Sequence, residues 1–103
     1  MIAIKEDGNG FSFEVRSGQG QLLLRSVGFA SREDLEACLR EACLRLGNPA
    51  CFERMTNHEG KFRFCLKGAR GKVLGKSALY SSEAGMENGI KNTRIALSRA
   101  DLP

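Results

Sequence analysis

The feature that most constrains the fold is an internal repeat with a period of 51 residues. When the sequence is aligned with itself at this offset, GFSFEVR (10–16) falls on KFRFCLK (61–67), and no gap is needed from residue 10 to residue 46. The aligned positions keep both their apolar and their basic character. Self-similarity at a fixed period indicates copies of one supersecondary unit. We therefore predict a single domain, residues 1–103, made of two repeats, 1–49 and 50–103.

Each repeat contains the pattern of a β-hairpin. Apolar and polar residues alternate over 11–16 and again over 62–67, as in a strand with one buried face. Glycine-rich segments, 18–20 and 68–71, follow these runs, and a second apolar run follows each of them. Glycine clusters between apolar runs are turn signals. The sequence thus predicts one hairpin in each repeat.

A helix is predicted after each hairpin. Ser31 and Ser82 stand where a helix N-cap is expected, and apolar residues then recur at helical spacing. Short apolar runs at 2–4 and 51–55 precede the hairpins and predict a third strand in each repeat. Neither β-β-β-α unit could bury its apolar surface alone. We expect an α+β fold in which tandem β-β-β-α repeats form one antiparallel sheet, with two helices packed on one face.

The hairpin register predicts a basic patch on the face away from the helices. With a turn through residues 69–70, Arg63 lies opposite Lys76 and Lys67 lies opposite Lys72. Like charges directly opposite are unfavourable, by roughly 0.2–1 kcal/mol per pair. A three-residue loop would mix the two faces and is rejected. The candidate polyanion-binding residues are Arg63, Lys67, Arg70, Lys72 and Lys76.

The same register has two further consequences. It places Glu14 opposite Leu23, so the first hairpin has no clash of like charges. It also gives outer parity to five apolar residues, which would form an exposed patch unless twist or loops cover them; these are Leu23, Val27, Phe29, Leu74 and Tyr80. Exposed apolar patches usually mark partner surfaces.

Composition and charge limit the class of protein. Hydrophobic residues are 42% and charged residues 27% of the chain, typical of a folded globular domain. The longest aliphatic run is 22–24, too short to span a membrane. The first residues lack an apolar signal region, so we expect a cytoplasmic protein. The net charge is +4, but residues 1–51 carry −1 and residues 52–103 carry +5, a distribution that favours attraction to a polyanion or to the acidic half of a second copy of the chain.

The sequence offers little for catalysis or metal binding. The spacing of Cys38, Cys43, Cys51 and Cys65 fits no zinc site, and we expect reduced, packed thiols. His58 and Cys51 could in principle form a nucleophile pair, but a lone histidine before Glu59-Gly60 is more typical of a solvated loop. We expect no catalytic residue, metal or cofactor.

Several segments of the second repeat resemble the YegP-like family of small bacterial proteins. They are GKFRF (60–64), LK (66–67), GKVL (71–74), YSS (80–82) and ENGI (87–90). The first repeat departs from this pattern, with ACL (37–39) where NGI stands in the second. The resemblance implies tandem β-β-β-α repeats forming one sheet with the helices on one side. It implies no activity.

Three functions remain open. The first is a non-catalytic interaction module, with an unknown protein partner or self-association through an edge strand or the open side of the sheet. The alternative is nucleic-acid or polyanion binding through the basic patch. This is not favoured, because only Phe29 and Tyr80 could stack bases while the other rings point inward. An enzyme is the least favoured.

Overall fold

The computed structural model describes residues 1–68 and 71–99. Within these ranges the chain forms six strands and two α-helices, with one turn of 3-10 helix, Pro49–Cys51, before the fourth strand. In chain order the elements are β1 (Ile2–Asp7), β2 (Gly10–Arg16), β3 (Leu22–Ser26), α1 (Arg32–Leu44), β4 (Phe52–Thr56), β5 (Phe62–Lys67), β6 (Val73–Ser77) and α2 (Glu83–Ser98).

The six strands form one sheet in the order β1-β2-β3-β6-β5-β4, and every pairing between neighbours is antiparallel. The two hairpins meet at β3 and β6, where Arg25 lies opposite Lys76. Strands β1 and β4 are the edges. The predicted α+β class, with one antiparallel sheet and two helices, is confirmed. No helix of the described residues is long and apolar enough to cross a membrane.

The predicted register of both hairpins is wrong by two residues. Glu14 lies opposite Arg25 instead of Leu23. In the second hairpin Cys65, not Arg63, lies opposite Lys76. The direction of the error is the same in both hairpins, so it has a common cause.

The cause is a three-residue loop combined with a β-bulge. The backbone N–H of Ser17 donates to the carbonyl of Gln21 at 2.9 Å, and Gly20 has a φ of +87°, which favours glycine. One strand position further on, the pairing jumps and leaves Leu23 without a partner. The loop shifts the register by one residue and the bulge shifts it by another. The two shifts together preserve which residues face the helices.

The second hairpin repeats this geometry. The N–H of Gly68 donates to the carbonyl of Lys72 at 2.7 Å, and Gly71 has a φ of +73°. Leu74 is the unpaired residue here. The predicted exposed apolar patch is therefore wrong, because its five members lie in the core or pack against it: Leu23, Leu74 and Phe29 are buried, and Val27 and Tyr80 are partly buried.

The core lies between the sheet and the two helices. Phe13 and Val15 of β2 and Phe64 and Leu66 of β5 are fully buried, as the alternation predicted. The helices bury one side each: Leu35, Leu39 and Ala42 on α1, and Met86, Gly89, Ile90, Thr93, Ala96 and Leu97 on α2. Leu46 also has helical spacing from Leu35, Leu39 and Ala42, but the helix ends at Leu44 with Arg45 as its C-cap.

Both helices start at the predicted serines. The Ser31 hydroxyl accepts a hydrogen bond from the N–H of Asp34 at 3.1 Å. The Ser82 hydroxyl accepts one from the N–H of Gly85 at 3.0 Å. Each cap satisfies a backbone donor that the first helical turn leaves free, and this is worth about 1 kcal/mol.

Gly89 allows α2 to approach the sheet closely. The Tyr80 ring stacks on Phe64 with 6.3 Å between the ring centroids. A Cβ atom built on Gly89 would lie 2.3 Å from the Tyr80 hydroxyl oxygen. This hydroxyl is buried, with no hydrogen-bond partner among the described residues. The equivalent residues of the first half are Phe29, which has no hydroxyl, and Cys38, which has a Cβ. A packing role for Gly89 follows from this contact.

We expect Gly89→Ala to destabilise the protein by up to about 2 kcal/mol, because overpacking costs about 1–3 kcal/mol and the gain in helix propensity offsets only about 1 kcal/mol. Asn88→Ala, on the exposed side of the same helix, is the matched control and should not destabilise. Adding Tyr80→Phe to the Gly89→Ala variant removes the hydroxyl that the new Cβ meets, and this double variant should recover part of the lost stability. Urea unfolding of all four proteins measures these differences, and a more stable Gly89→Ala variant would contradict the packing role.

Candidate functional site

The candidate site is the face of the sheet that points away from both helices, here called the open face. The register places mostly charged side chains on it. From one edge to the other its central residues are Ala3 and Lys5 (β1), Ser12, Glu14 and Arg16 (β2), Arg25 (β3), Lys76 (β6), Arg63, Cys65 and Lys67 (β5), and Glu53 and Met55 (β4).

In the first half, a buried carboxylate forms ion pairs with two arginines. The Glu14 side chain is 8% exposed, and its Oε1 accepts a hydrogen bond from Arg16 Nη2 at 3.0 Å. Its Oε2 accepts hydrogen bonds from Arg25 Nη2 at 3.0 Å and Nε at 3.3 Å. The hydrogen bond from Arg16, followed by that from Arg25, holds the pKa of Glu14 below its usual value. We call this group of Glu14, Arg16 and Arg25 the Glu14 clamp. The clamp was not predicted from the sequence, because the wrong register placed Arg25 opposite Ser12.

In the second half, a thiol takes the place of the carboxylate. Cys65 is the structural equivalent of Glu14, while Lys67 and Lys76 are the equivalents of Arg16 and Arg25. Cys65 is 1% exposed, and its Sγ lies 3.5 Å from Met55 Sδ. The second half therefore has cations at both positions but a neutral thiol, not a carboxylate, between them.

The edge strand compensates only one of these cations. Glu53, opposite Cys65 on β4, approaches Lys67 with 3.6 Å between its Oε2 and the lysine Nζ. The Lys67 ammonium also donates to the carbonyl of Gly71 at 3.2 Å. Neither Arg63 nor Lys76 has an ion-pair partner within residues 1–68 and 71–99. Positive charge therefore remains unpaired in this part of the open face.

Three of the five predicted polyanion-binding residues share this surface: Arg63, Lys67 and Lys76. Lys72 is elsewhere, since it lines a cavity of about 230 Å³ together with Cys38 and Glu41 of α1. Lys72 closes the hairpin loop, where its carbonyl accepts a hydrogen bond from the N–H of Gly68. Arg70 lies outside the described residues.

The predicted pairs of like charges are also corrected. Met55 lies opposite Arg63, and Val73 lies opposite Lys67. The like charges that do oppose each other directly are Arg25 and Lys76, where the two hairpins meet. Arg25 pairs with Glu14, whereas Lys76 faces the charge of Arg25 without an ion-pair partner among the described residues.

The side chains considered for nucleophilic catalysis are not brought together. Cys51 is fully buried, and burial raises the pKa of its thiol. The His58 side chain is 91% exposed in a loop, with Glu59 at 3.8 Å. Burial likewise raises the pKa of the Cys43 and Cys65 thiols. Among the described residues, no group of three or more His, Cys, Asp or Glu side chains could hold a metal ion.

The aromatic residues considered for base stacking are in the core. Phe29 is 7% exposed and stacks on Phe13, and Tyr80 stacks on Phe64. The described part of the open face carries no aromatic side chain. Base stacking on this face, which single-strand binding sheets use, is therefore not available there.

Comparison with known proteins places the chain in a family. Residues 57–94 match the model of a domain of unknown function, DUF1508. Over 93 residues the chain is 30% identical to the UPF0339 protein YegP of Escherichia coli. This alignment covers 88% of this chain and 83% of YegP. The chain belongs to the UPF0339 family. A UPF0339 protein of Pseudomonas aeruginosa is 29% identical, over 89% of this chain and 84% of its own length.

Solved structures of UPF0339 proteins have the same fold. The solution NMR structure of a Shewanella oneidensis member matches with a TM-score of 0.89 and 23% identity, covering 96% of this chain and 85% of that one. The NMR structure of YegP from E. coli matches with a TM-score of 0.86 and 24% identity, over 94% and 84% of the two chains. The predicted resemblance to YegP-like proteins is confirmed as family membership.

The Glu14 clamp predicts a dependence of stability on pH. Because the folded-state pKa is lowered, the clamp stabilises the protein above the usual glutamate pKa of 4.5 and is lost as the pH falls through the lowered value. Glu14→Gln should be less stable than the wild type at pH 7, and the difference should shrink as the pH falls below 4.5. Urea unfolding at several pH values measures it. Glu6→Gln, at an exposed edge position, is the control, and a difference independent of pH would contradict the clamp.

Thiol burial predicts an order of reactivity in the folded protein. Cys51 and Cys65, with 0% and 1% of their surface exposed, should be protected from a water-soluble disulfide reagent at pH 8. Cys38, half-buried at the cavity beside α1, should react first. Mass spectrometry of peptides after timed labelling gives the order. Labelling of Cys65 before Cys38 under native conditions would show that the open face is looser than described.

Proposed function

We propose that this UPF0339 protein is a non-catalytic interaction module that binds an acidic protein partner through its open face. One observation carries the proposal. In the first half, Arg16 and Arg25 both pair with Glu14, whereas Arg63 and Lys76 of the second half have no ion-pair partner in the part of the chain that the structure describes. An acidic partner surface would supply the missing charge.

The electrostatics of the open face support this partner chemistry. Arg25 and Lys76 are held directly opposite each other by the backbone pairing of β3 and β6. Such a pair is unfavourable in the free protein, and a nearby anion removes the penalty. Complementary charge raises the rate of association and makes binding sensitive to salt.

The other functions receive less support. A nucleic-acid partner remains the alternative for a basic surface, but the rings that would stack bases lie in the core. The Cys51 thiol that a nucleophile pair with His58 would need is buried, and burial raises its pKa. Strands β1 and β4 are unpaired edges, so the acidic partner can also be a second copy of the chain.

We also infer that residues 1–49 and 50–103 are two copies of one β-β-β-α unit. The support is a set of features that recur 51 residues apart. The N–H of Phe13 donates to the Ser26 hydroxyl at 2.8 Å, and the N–H of Phe64 donates to the Ser77 hydroxyl at 2.9 Å. Further recurrent pairs are the bridges Phe11–Phe29 and Phe62–Tyr80, the caps Ser31 and Ser82, and the unpaired residues Leu23 and Leu74.

Two charge reversals test the proposed module. Lys76→Glu changes the open face, while Lys91→Glu makes the same change of net charge on an exposed position of α2. The wild type and both variants are immobilised, and the proteins captured from a cell extract are quantified at low and at high salt. We expect Lys76→Glu to lose most of a salt-sensitive acidic partner and Lys91→Glu to retain it.

The outcomes separate specific binding from general charge attraction. Equal loss in both variants, or the same captured proteins for all three baits, would contradict binding through the open face. Light scattering after size-exclusion chromatography at several concentrations shows whether the partner is a second copy. Circular dichroism confirms that both variants are folded.

A further inference from the structure

We infer that the open face holds one binding site for an oxyanion group, a carboxylate or a phosphate, above Cys65 and between Lys67 and Lys76. This inference rests on the proposed function, since the site would receive an acidic group of the partner. It goes further by naming the position of that group and the two ammonium groups that hold it.

The first half of the molecule shows what such a site looks like when it is occupied. The Glu14 carboxylate lies between Arg16 and Arg25 on neighbouring strands, with each oxygen 3.0 Å from one guanidinium nitrogen. The side chain is 8% exposed, so the carboxylate is held low on the sheet surface. The geometry of β2 and β3 therefore supports one oxyanion between two cations.

The second half reproduces the backbone of this arrangement. Cys65 lies opposite Lys76, as Glu14 lies opposite Arg25. Lys67 follows Cys65 by two residues, as Arg16 follows Glu14, and the bulge falls at the same point of both hairpins. The two cations of the second half are thus placed by the same pairing that places the arginines of the first.

What differs is the group between the cations. Cys65 ends at its Sγ, where a glutamate would continue for two carbons and a carboxylate. Burial, the largest influence on its pKa, keeps this thiol neutral despite Lys76, Arg63 and Lys67 nearby. The thiol therefore supplies neither the charge nor the atoms of a carboxylate. An oxyanion from outside would complete the arrangement.

Glu53 is the competing acidic group. It lies on the edge strand, on the other side of Cys65 from Lys76, and its carboxylate reaches Lys67 at 3.6 Å. The Glu53 side chain is 52% exposed and that of Lys67 is 19% exposed, and a partly exposed pair at this distance is weak. It leaves Lys76 without an ion-pair partner among the described residues. A bound oxyanion would share Lys67 with Glu53 and engage Lys76 alone.

The chemistry of lysine fits either oxyanion. An ammonium group is a compact charge with three donors and does not require the two-pronged geometry that arginine and a carboxylate form. Arg63, two residues before Cys65 on the same face, adds positive charge from the third side. Carboxylate and phosphate are therefore both acceptable ligands, and the experiment distinguishes them.

The test is an NMR titration of the whole protein at low ionic strength with inorganic phosphate and, separately, with acetate, using chloride as the control. We expect saturable amide shifts centred on residues 65, 67 and 76 with at least one oxyanion and none with chloride at equal ionic strength. Shifts with phosphate alone identify a phosphate site, and shifts with acetate alone identify a carboxylate site. Shifts too diffuse to saturate with either would overturn the proposal.

Two variants of nearly equal size test the position of the site. Cys65→Glu places a carboxylate where Glu14 stands in the first half and should weaken oxyanion binding by at least about tenfold. Cys65→Gln has the same shape without the charge and should bind at least tenfold more tightly than Cys65→Glu. Equal binding by the two variants would overturn the inference. A comparison of oxyanion binding by Lys76→Gln and by Lys91→Gln tests the same site without changing a buried residue.

The reciprocal change makes a second prediction from the same geometry. Glu14→Cys removes the internal carboxylate and should create a second oxyanion site between Arg16 and Arg25, so that the stoichiometry rises from one to two. Failure of the site and failure of the proposed function differ in outcome. If Lys76→Glu loses the acidic partner but the wild type binds no oxyanion, the oxyanion site is overturned and the interaction module is not. Oxyanion binding with unchanged partner capture would overturn the module alone.

Discussion

The pairing of β3 with β6 is the interaction on which the rest of the structure depends. It joins two three-stranded halves into one sheet, whose single apolar face both helices cover. The contact is close, because a Cβ atom on Gly75 would lie 2.7 Å from Leu24 Cδ2 and 2.9 Å from the carbonyl oxygen of Arg25. The equivalent of Gly75 in the first half is Leu24 itself. One bulky and one absent side chain at equivalent positions allow the two hairpins to meet.

The same pairing creates the charge imbalance of the open face. It brings Arg25 opposite Lys76, and the group beside each of these cations differs between the two halves. The first half has Glu14 to hold Arg25, whereas the second half has the neutral Cys65 beside Lys76. The pairing of β3 with β6 thus leaves Lys76, which has no ion-pair partner among the described residues, at the centre of an exposed surface.

Much of the fold was predictable from local patterns, and the errors have one physical origin. Alternation, glycine turns and the serine caps predicted six strands, two helices and their order. The hairpin registers were wrong, because a loop of three residues and a bulge each shift the pairing by one. The two shifts cancel in parity, so Arg63, Lys67 and Lys76 were still placed correctly on the face away from the helices. Leu23 and Leu74 are the exceptions, because they are the unpaired residues at the two bulges. Both are buried, and the apolar patch that their parity predicted on the open face does not form.

The sequence by itself determined which residues avoid water and which local structures the chain adopts, because hydrophobic periodicity and capping act over a few neighbouring residues. The tertiary structure decided which charges meet. The contacts of Glu14 with Arg25 and of Glu53 with Lys67 depend on strand pairing between residues 11 and 14 positions apart. The three-residue loop and the bulge together move the pairing of Glu14 by two residues, to Arg25, and leave the apolar pattern almost intact. Pairing across strands depends on register, whereas burial depends only on parity.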